Sequence, residues 1–331
     1  MTVSIADIAL SPPVLLAPMA GITDRPFRDL VQSFGAGLVV SEMVASQEMV
    51  QARPGTRAKA ELGADVARTA VQLAGREAHW MAEAARRIED MGAAVIDINM
   101  GCPAKRVTNG ASGSALLKTP DHALRLIEAV VGAVGIPVTL KTRLGWDADL
   151  MNAPEVARRA ESAGVRMIAI HGRTRCQFYT GRADWAAIRA VKEAVRVPVI
   201  ANGDILGPGS AAEALARSGA DGVMVGRGAR GRPWLLAEIA HHLHGAPKPL
   251  APQGAALAGM IAGHYDAMLG FHGRDLGLRV ARKHLGWYLD AAGTPSGLRR
   301  QILTARQPEA VLALLPDAIA AGAPAHAREA A

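Results

Sequence analysis

Short aliphatic runs alternate with amphipathic stretches along residues 14 to 226. The runs are VLLAP from 14, GLVVSEM from 37, RTAVQLAG from 68, AAVIDIN from 93, PVTLKTR from 137, RMIAIHG from 166, PVIANGD from 198 and DGVMVGR from 221. Continuous β-branched runs mark strands buried on both faces, as in a parallel sheet covered by helices. EDMGAAVIDI, ESAGVRMIAI and RSGADGVMV each repeat a helix end, a Gly and then a strand, the order expected when Gly follows a helix terminus. Eight such units predict a (β/α)₈ TIM barrel. The alternation stops at the Pro/Gly-rich stretch GAPKPLAPQG, and four helix-patterned segments with short connections follow. They predict an all-α helical bundle. The chain therefore divides into a barrel over 1–244, a linker over 245–252 and a helical domain over 253–331, whose tail APAHAREAA is expected to fray.

Composition changes this picture in two places. Aromatic residues are only 4% of the chain, so the core must be aliphatic. The formal charge of +7 makes a polyanion a plausible partner. That charge is concentrated. Between residues 274 and 306, seven cations (Arg274, Arg279, Arg282, Lys283, Arg299, Arg300 and Arg306) stand against two acids, Asp275 and Asp290. A surface of that kind favours phosphate-backbone contact. Two cysteines make no disulfide framework, and no Cys/His spacing suits a metal, so a reducing cytosol fits. No secretory leader and no membrane span are expected, and a monomer is expected.

In a barrel of this kind the chemistry sits at the C-terminal ends of the strands. Those ends carry Pro18-Met19, Glu42, Gln72, Asn99 with Cys102, Lys141 with Arg143, His171, Asn202 and Gly226-Arg227. Cys102 lies on a Gly-Cys-Pro turn with Lys105 and Arg106 close behind. A thiol beside cations can be tuned toward thiolate or used as a positioned proton donor. Strands seven and eight are followed by Asn202-Gly203-Asp204 and Gly226-Arg227-Gly228, a corner that commonly holds a phosphate. The loop GRTRCQFYTGR interleaves Arg173, Arg175 and Arg182 with Phe178 and Tyr179, a pattern suited to phosphates and a flipped base. GRGARG at 226 matches a dinucleotide fingerprint, but no second strand with an acidic residue follows. The HHLH cluster at 241 reads as a solvated helix end rather than a metal site.

With APMAGITDRPFR from 17, SEMV from 41, VQLAG from 71, DINMGCPAKRV then GSALL, LKTRLGW from 140, IHGRTRCQFYTGRADW from 170, ANGDI from 201, GVMVGRGARGRPW from 222 and ARKHLGWY from 281, the chain resembles the tRNA-dihydrouridine synthases, specifically their bacterial B-type members. The resemblance implies an FMN-dependent barrel followed by a tRNA-binding helical domain. The implied reaction is reduction of the uracil 5,6 double bond in the tRNA D-loop, driven by NADPH (or NADH). It implies that Pro18, Met19 and Ala20 line the flavin ring, that Gln72 and Lys141 bond its polar edge, and that His171 lies near it. Asn202, Gly203, Asp204, Gly226 and Arg227 would hold the phosphate and ribityl end. Cys102 would be the proton donor. Asn99, Arg143, Arg173, Arg175, Arg279, Arg282, Lys283, Arg299 and Arg300 would face tRNA, and no metal is implied. Two alternatives stay open: an FMN enzyme acting on free pyrimidines of the dihydroorotate or dihydropyrimidine type, and a non-catalytic RNA-binding protein.

Overall fold

The computed structural model describes residues 3–53 and 55–322; the tail from 323, expected to fray, lies outside them. Among the described residues there are eleven strands: β1 (Val3–Ile5), β2 (Ile8–Leu10), β3 (Val14–Leu16), β4 (Leu38–Val40), β5 (Val44–Ala45), β6 (Thr69–Ala74), β7 (Val95–Met100), β8 (Val138–Arg143), β9 (Ile168–His171), β10 (Val199–Asn202) and β11 (Gly222–Val225). Each of the eight expected runs forms a strand. β3, β4 and β6 to β11 pair in parallel around a ring, in which β3 joins both β4 and β11 and β4 joins β6. The ring is the closed TIM barrel.

Two features go beyond what the sequence predicts. Residues 3–10 form an antiparallel hairpin, β1 with β2, in register Val3↔Leu10. Val3, Ile5 and Leu10 are buried with Leu38, Val95, Met167 and Ile200, which stand at or near the starts of their strands. The hairpin thus plugs the barrel end opposite the predicted chemistry. The second barrel strand also breaks, with β5 resuming its pairing to β6 at Val44↔Leu73. At the break the Ser41 hydroxyl accepts the Gln72 N–H at 3.0 Å, and the Glu42 carboxylate accepts the Gly21 N–H. A side chain here replaces a ladder acceptor, which frees Glu42 to tie the loop after β3.

The barrel helices show why the fold closes around small residues. The helix Ala78–Asp90 buries Met81, Ala84, Ala85 and Ile88, and the helix Ala153–Ser162 buries Ala153, Val156, Ala157 and Ala160. The three- and four-residue spacings put each set on one face, and the alanines let helix and sheet approach closely. Beyond the barrel, the helices Gly254–His272, Arg274–Ala292, Ser296–Thr304 and Pro308–Ala320 enclose their own core of Ile261, Tyr265, Met268, Leu285, Leu289, Ile302 and Leu315. This is the predicted helical bundle. The chain divides into two compact units: residues up to Gly228 with Leu236–Pro247, and Ala229–Leu235 with the chain from Lys248 onward. The segment Ala229–Leu235, read from the sequence as barrel, packs with the helical unit. Among the described residues no helix is long and apolar enough to cross a membrane.

Candidate active site

β7 delivers the thiol. Beyond Met100 the chain leaves the strand, and three side chains fix the turn that follows. The Asn99 carbonyl oxygen accepts the N–H groups of Gly101 at 3.2 Å and Cys102 at 3.0 Å. Arg143 Nε donates to the Gly101 carbonyl at 2.8 Å. Ser114 bonds the Cys102 carbonyl through its hydroxyl at 2.8 Å and its N–H at 3.2 Å. Gly113 closes this bracket with φ of +60°, and a Cβ there would lie 2.9 Å from the Cys102 carbonyl oxygen. The Cys102 backbone is thus held on both sides while the residue stays partly exposed. A thiol fixed by its backbone and still reachable can act on a bound molecule.

Beneath the turn lies a chain of buried polar groups. Asn99 donates its amide N–H to Gln72 Oε1 at 2.7 Å, and Gln72 Nε2 donates to Asp97 Oδ2 at 2.7 Å. Thr139 donates to Asp97 Oδ1 at 2.7 Å. The register explains the contacts, because Gln72 pairs Asp97 and Asp97 pairs Thr139 across neighbouring strands. Burial pushes the Asp97 carboxyl up, against its bonds from Gln72 and Thr139 and the Lys141 charge. Lys141, paired in register with Asn99, donates to Asn202 Oδ1 at 3.0 Å. Burial and the Arg143 charge pull Lys141 down to about 8, against Asp97 and Cys102. Asn202 spends its own N–H on the Met224 carbonyl at 2.8 Å, so it turns an acceptor to the ammonium.

The corner after β10 is built around Asp204. Arg173 grips that carboxylate with two bonds of 2.6 and 3.1 Å, the Ala183 N–H adds one at 2.8 Å, and Arg227 adds one at 3.3 Å. Burial pushes the Asp204 carboxyl up, but the Arg173 and Ala183 bonds and the Arg173 and Arg227 charges outweigh it and hold the group below its ordinary range. Gly203 precedes it at φ +111°, and a Cβ there would meet His171 at 2.8 Å. Burial, then the charges of Lys141, Arg143, Arg173 and Arg227, hold His171 well below its usual pKa. It is therefore neutral near pH 7. Its Nε2 faces an Arg173 N–H at 3.3 Å; since guanidinium only donates, Nε2 accepts and the proton sits on Nδ1. The loop after β3 joins this corner: Ala17 N–H donates to the Val225 carbonyl, and a Cβ on Gly226 would lie 3.7 Å from Met19 Sδ. Tyr179 overlooks it, about half exposed, with the Arg227 and Arg143 guanidiniums 5.1 and 5.5 Å from its ring.

The dihydrouridine synthase family model matches residues 15–323, nearly all of the chain. This chain belongs to the dihydrouridine synthase family. It is 64% identical to a probable tRNA-dihydrouridine synthase of Rhodobacter capsulatus over 96% of this chain and 98% of that one. It is 46% identical to tRNA-dihydrouridine synthase B of Xanthomonas campestris, with 97% of each covered. Among solved structures it is similar to histamine dehydrogenase from Rhizobium sp. 4-9, with a TM-score of 0.55 at 13% identity, covering 80% of this chain and 50% of that one. A mutant of morphinone reductase in complex with tetrahydroNAD gives a TM-score of 0.51 at 14% identity, covering 75% and 91%. At that identity these two show the fold alone. Making dihydrouridine means reducing a ring double bond, so the family assignment makes the chain an oxidoreductase.

Within this dihydrouridine synthase family member, several cations assigned to substrate by resemblance are engaged by the protein itself. Arg143 gives its remaining bonds to the carbonyls of Thr174 and Phe178, each at 2.9 Å. Arg173 adds the carbonyls of Thr180 and Gly181. Both side chains are 1% exposed; they shape the loop after β9 rather than face solvent. Arg175 is half-buried, its guanidinium 4.7 Å from the Trp146 ring and bonded to Thr108 Oγ1. In the helical unit Arg299 forms a bidentate pair with Asp290, and Arg274 pairs Glu309. Arg274, Arg279, Arg282 and Arg306 line one groove of about 430 Å³ with Asp275 and Gln307. Lys283 and Arg300 do not line it. Arg274 and Arg306, from the same cationic run of the sequence, do. Asp97, Thr139 and Ser114 were also missed as site residues. A carboxylate inside an apolar strand, two positions before Asn99 on the same strand face, was the available signal.

Proposed function

We propose that this chain reduces the 5,6 double bond of uridine in the D-loop of tRNA, with FMN bound at the barrel rim and NADPH as reductant. The observation that carries the reading is the buried Lys141 ammonium beside Asn202, on the same rim as the Cys102 thiol, in a dihydrouridine synthase chain. Lys141 makes one hydrogen bond, to Asn202, among the described residues. A desolvated cation with unshared protons suits the polar edge of an aromatic ring that takes on negative charge, so the residues present fit a flavin. Pro18, Met19 and Ala20 would wall the ring, with Gln72 and His171 near its edge. Asn202, Gly203, Gly226 and Arg227 would hold the ribityl phosphate, with Asp204 keeping Arg173 and Arg227 in place rather than meeting the phosphate. When bound, FMN supplies the hydride.

The chain's own residues supply the rest. Cys102, fixed by its backbone and still reachable, gives its thiol proton to uracil C5. Lys141 offers positive charge where negative charge develops. Tyr179, cushioned by two guanidiniums, offers a face for a base that has left its stack. The arginine groove offers a contact for tRNA phosphates, and the cytoplasm is the location that suits such a substrate. The test is incubation of purified protein and NADPH with unmodified tRNA or with free uridine and uracil, followed by mass spectrometry. Two hydrogens should be gained in tRNA alone. Equal reduction of the free pyrimidines would replace the RNA reading with the small-molecule one, and a protein that binds RNA but reduces neither would make it non-catalytic.

Two further outcomes are expected. Denaturation should release FMN, and the affinity of the apoprotein for FMN should fall as pH rises through about 8, where Lys141 loses its charge. In Lys141→Met the dependence should vanish and affinity should be low throughout; titration by flavin fluorescence reads both. Arg279→Glu with Arg306→Glu should weaken tRNA binding and flatten its salt dependence, by about 0.7–0.9 in log–log slope for each phosphate the protein no longer neutralises. Flavin reduction by NADPH should not change. An unaltered slope would mean the groove meets no phosphate.

A further inference from the structure

Asp97 lies two hydrogen-bonded steps below the side chain that holds the Cys102 turn. The chain of bonds runs in one direction. Asp97, at the far end, accepts from Gln72 and from Thr139. That turns the Gln72 carbonyl outward to accept from Asn99. Asn99 in turn presents its carbonyl to the N–H groups of Gly101 and Cys102. Gln72 is 1% exposed, Asp97 2% and Asn99 7%, so water cannot readily supply a missing partner. An amide has one accepting and one donating end, and which end faces which neighbour is set by its hydrogen-bond partners. Were Gln72 inverted, its N–H would meet the Asn99 N–H. Were Asn99 to invert in response, its N–H would meet the two loop N–H groups. Only an acceptor at position 97 keeps both amides the right way round.

We propose that Asp97 is a positioning residue for Cys102, setting the orientation of Gln72 and Asn99 and through them the placement of the Gly-Cys-Pro turn. Its consequence for the reaction rests on the proton-donor reading of Cys102 proposed above; its consequence for the turn does not. Each amide nitrogen keeps one further N–H that the relay does not use. Thr139 matters because its hydroxyl can donate or accept. In Asp97→Asn the new side chain can keep its carbonyl toward Gln72 and give its N–H to Thr139. When Thr139→Val is added, that N–H has no acceptor unless the relay inverts.

The test uses full-length protein carrying Cys176→Ser, so that Cys102 is the single thiol. Amide exchange of Gly101 and Cys102 and alkylation of Cys102 by a neutral reagent are compared in Asp97→Ala, Asp97→Asn and Asp97→Asn/Thr139→Val, with exchange in β10 as the folding control. Asp97→Ala and the double variant should exchange at the two amides about 10–100-fold faster, the loss of one or two buried hydrogen bonds, and their alkylation rate should shift in parallel. Asp97→Asn should stay close to the parent. In Asp97→Ala and the double variant, turnover on tRNA should fall in kcat with KM for tRNA little changed. If Asp97→Ala does not fold, the Asp97→Asn pair with and without Thr139→Val decides. Unchanged exchange and alkylation at Cys102 in Asp97→Ala, or in Asp97→Asn/Thr139→Val where Asp97→Ala does not fold, overturn the proposal. A loosened turn with undiminished kcat upholds the positioning of Cys102 and removes Cys102 from the chemistry, so the two readings fail separately.

Discussion

Cys102→Ala should lose about 10²–10⁴-fold of turnover on tRNA, the range for a positioned general acid. Flavin reduction by NADPH and tRNA affinity should stay near those of the parent protein. The turn should also stay in place, because Asn99, Arg143 and Ser114 hold it through backbone atoms that alanine retains. The loss should therefore sit in the chemical step. Stopped-flow reduction of the flavin, followed by single-turnover reaction with tRNA, separates the two half-reactions. A Cys102→Ala enzyme that reduces uridine at the parent rate would make Cys102 part of the scaffold only.

Arg173→Met should destabilise the barrel unit by about 3 kcal/mol, the low end of the range for breaking a buried ion pair, because Asp204 retains some solvent contact. The change leaves the Asp204 carboxylate with weaker partners and leaves the carbonyls of Thr180 and Gly181 without the guanidinium donor. Arg227, more exposed and 3.3 Å away, replaces only part of the bond. The segment 172–184 should then exchange amide protons faster, and Tyr179 should lose its fixed place. A double-mutant cycle with Asp204→Asn, read by denaturant midpoint, measures the pairing. A coupling near zero would mean the loop is held by its backbone bonds alone.

How much of this was legible in the sequence differs by level. The aliphatic runs announced every barrel strand, because strands buried on both faces leave an uninterrupted apolar signature. The four C-terminal helices were likewise readable from their spacing and their Gly and Pro boundaries. The hairpin at 3–10 was not, because two three-residue strands are too short to show a period. The break at Ser41 was hidden because its cause is one hydroxyl accepting a backbone proton from β6. At the site, strand ends located the rim but not the fate of each side chain. Arg143 and Arg173 look like substrate cations in sequence. Arg143 is engaged by the Gly101 carbonyl and by carbonyls of the loop after β9, and Arg173 by the Asp204 carboxylate and carbonyls of the same loop, partners that no local pattern reports. Arg299 is spent on Asp290, nine residues away and across a helix boundary. Asp97 stood in the strongest motif, yet its role depends on Gln72 and Thr139, which only the strand register brings beside it.

The most direct test of the proposed function is position-mapped mass spectrometry of tRNA nucleosides from cells with and without this protein, and from cells complemented with the parent or the Cys102→Ala protein. Dihydrouridine should disappear from at least one D-loop position in its absence, return with the parent and fail to return with Cys102→Ala. Unchanged dihydrouridine at every D-loop position, in cells where no second synthase covers those positions, would contradict the assignment.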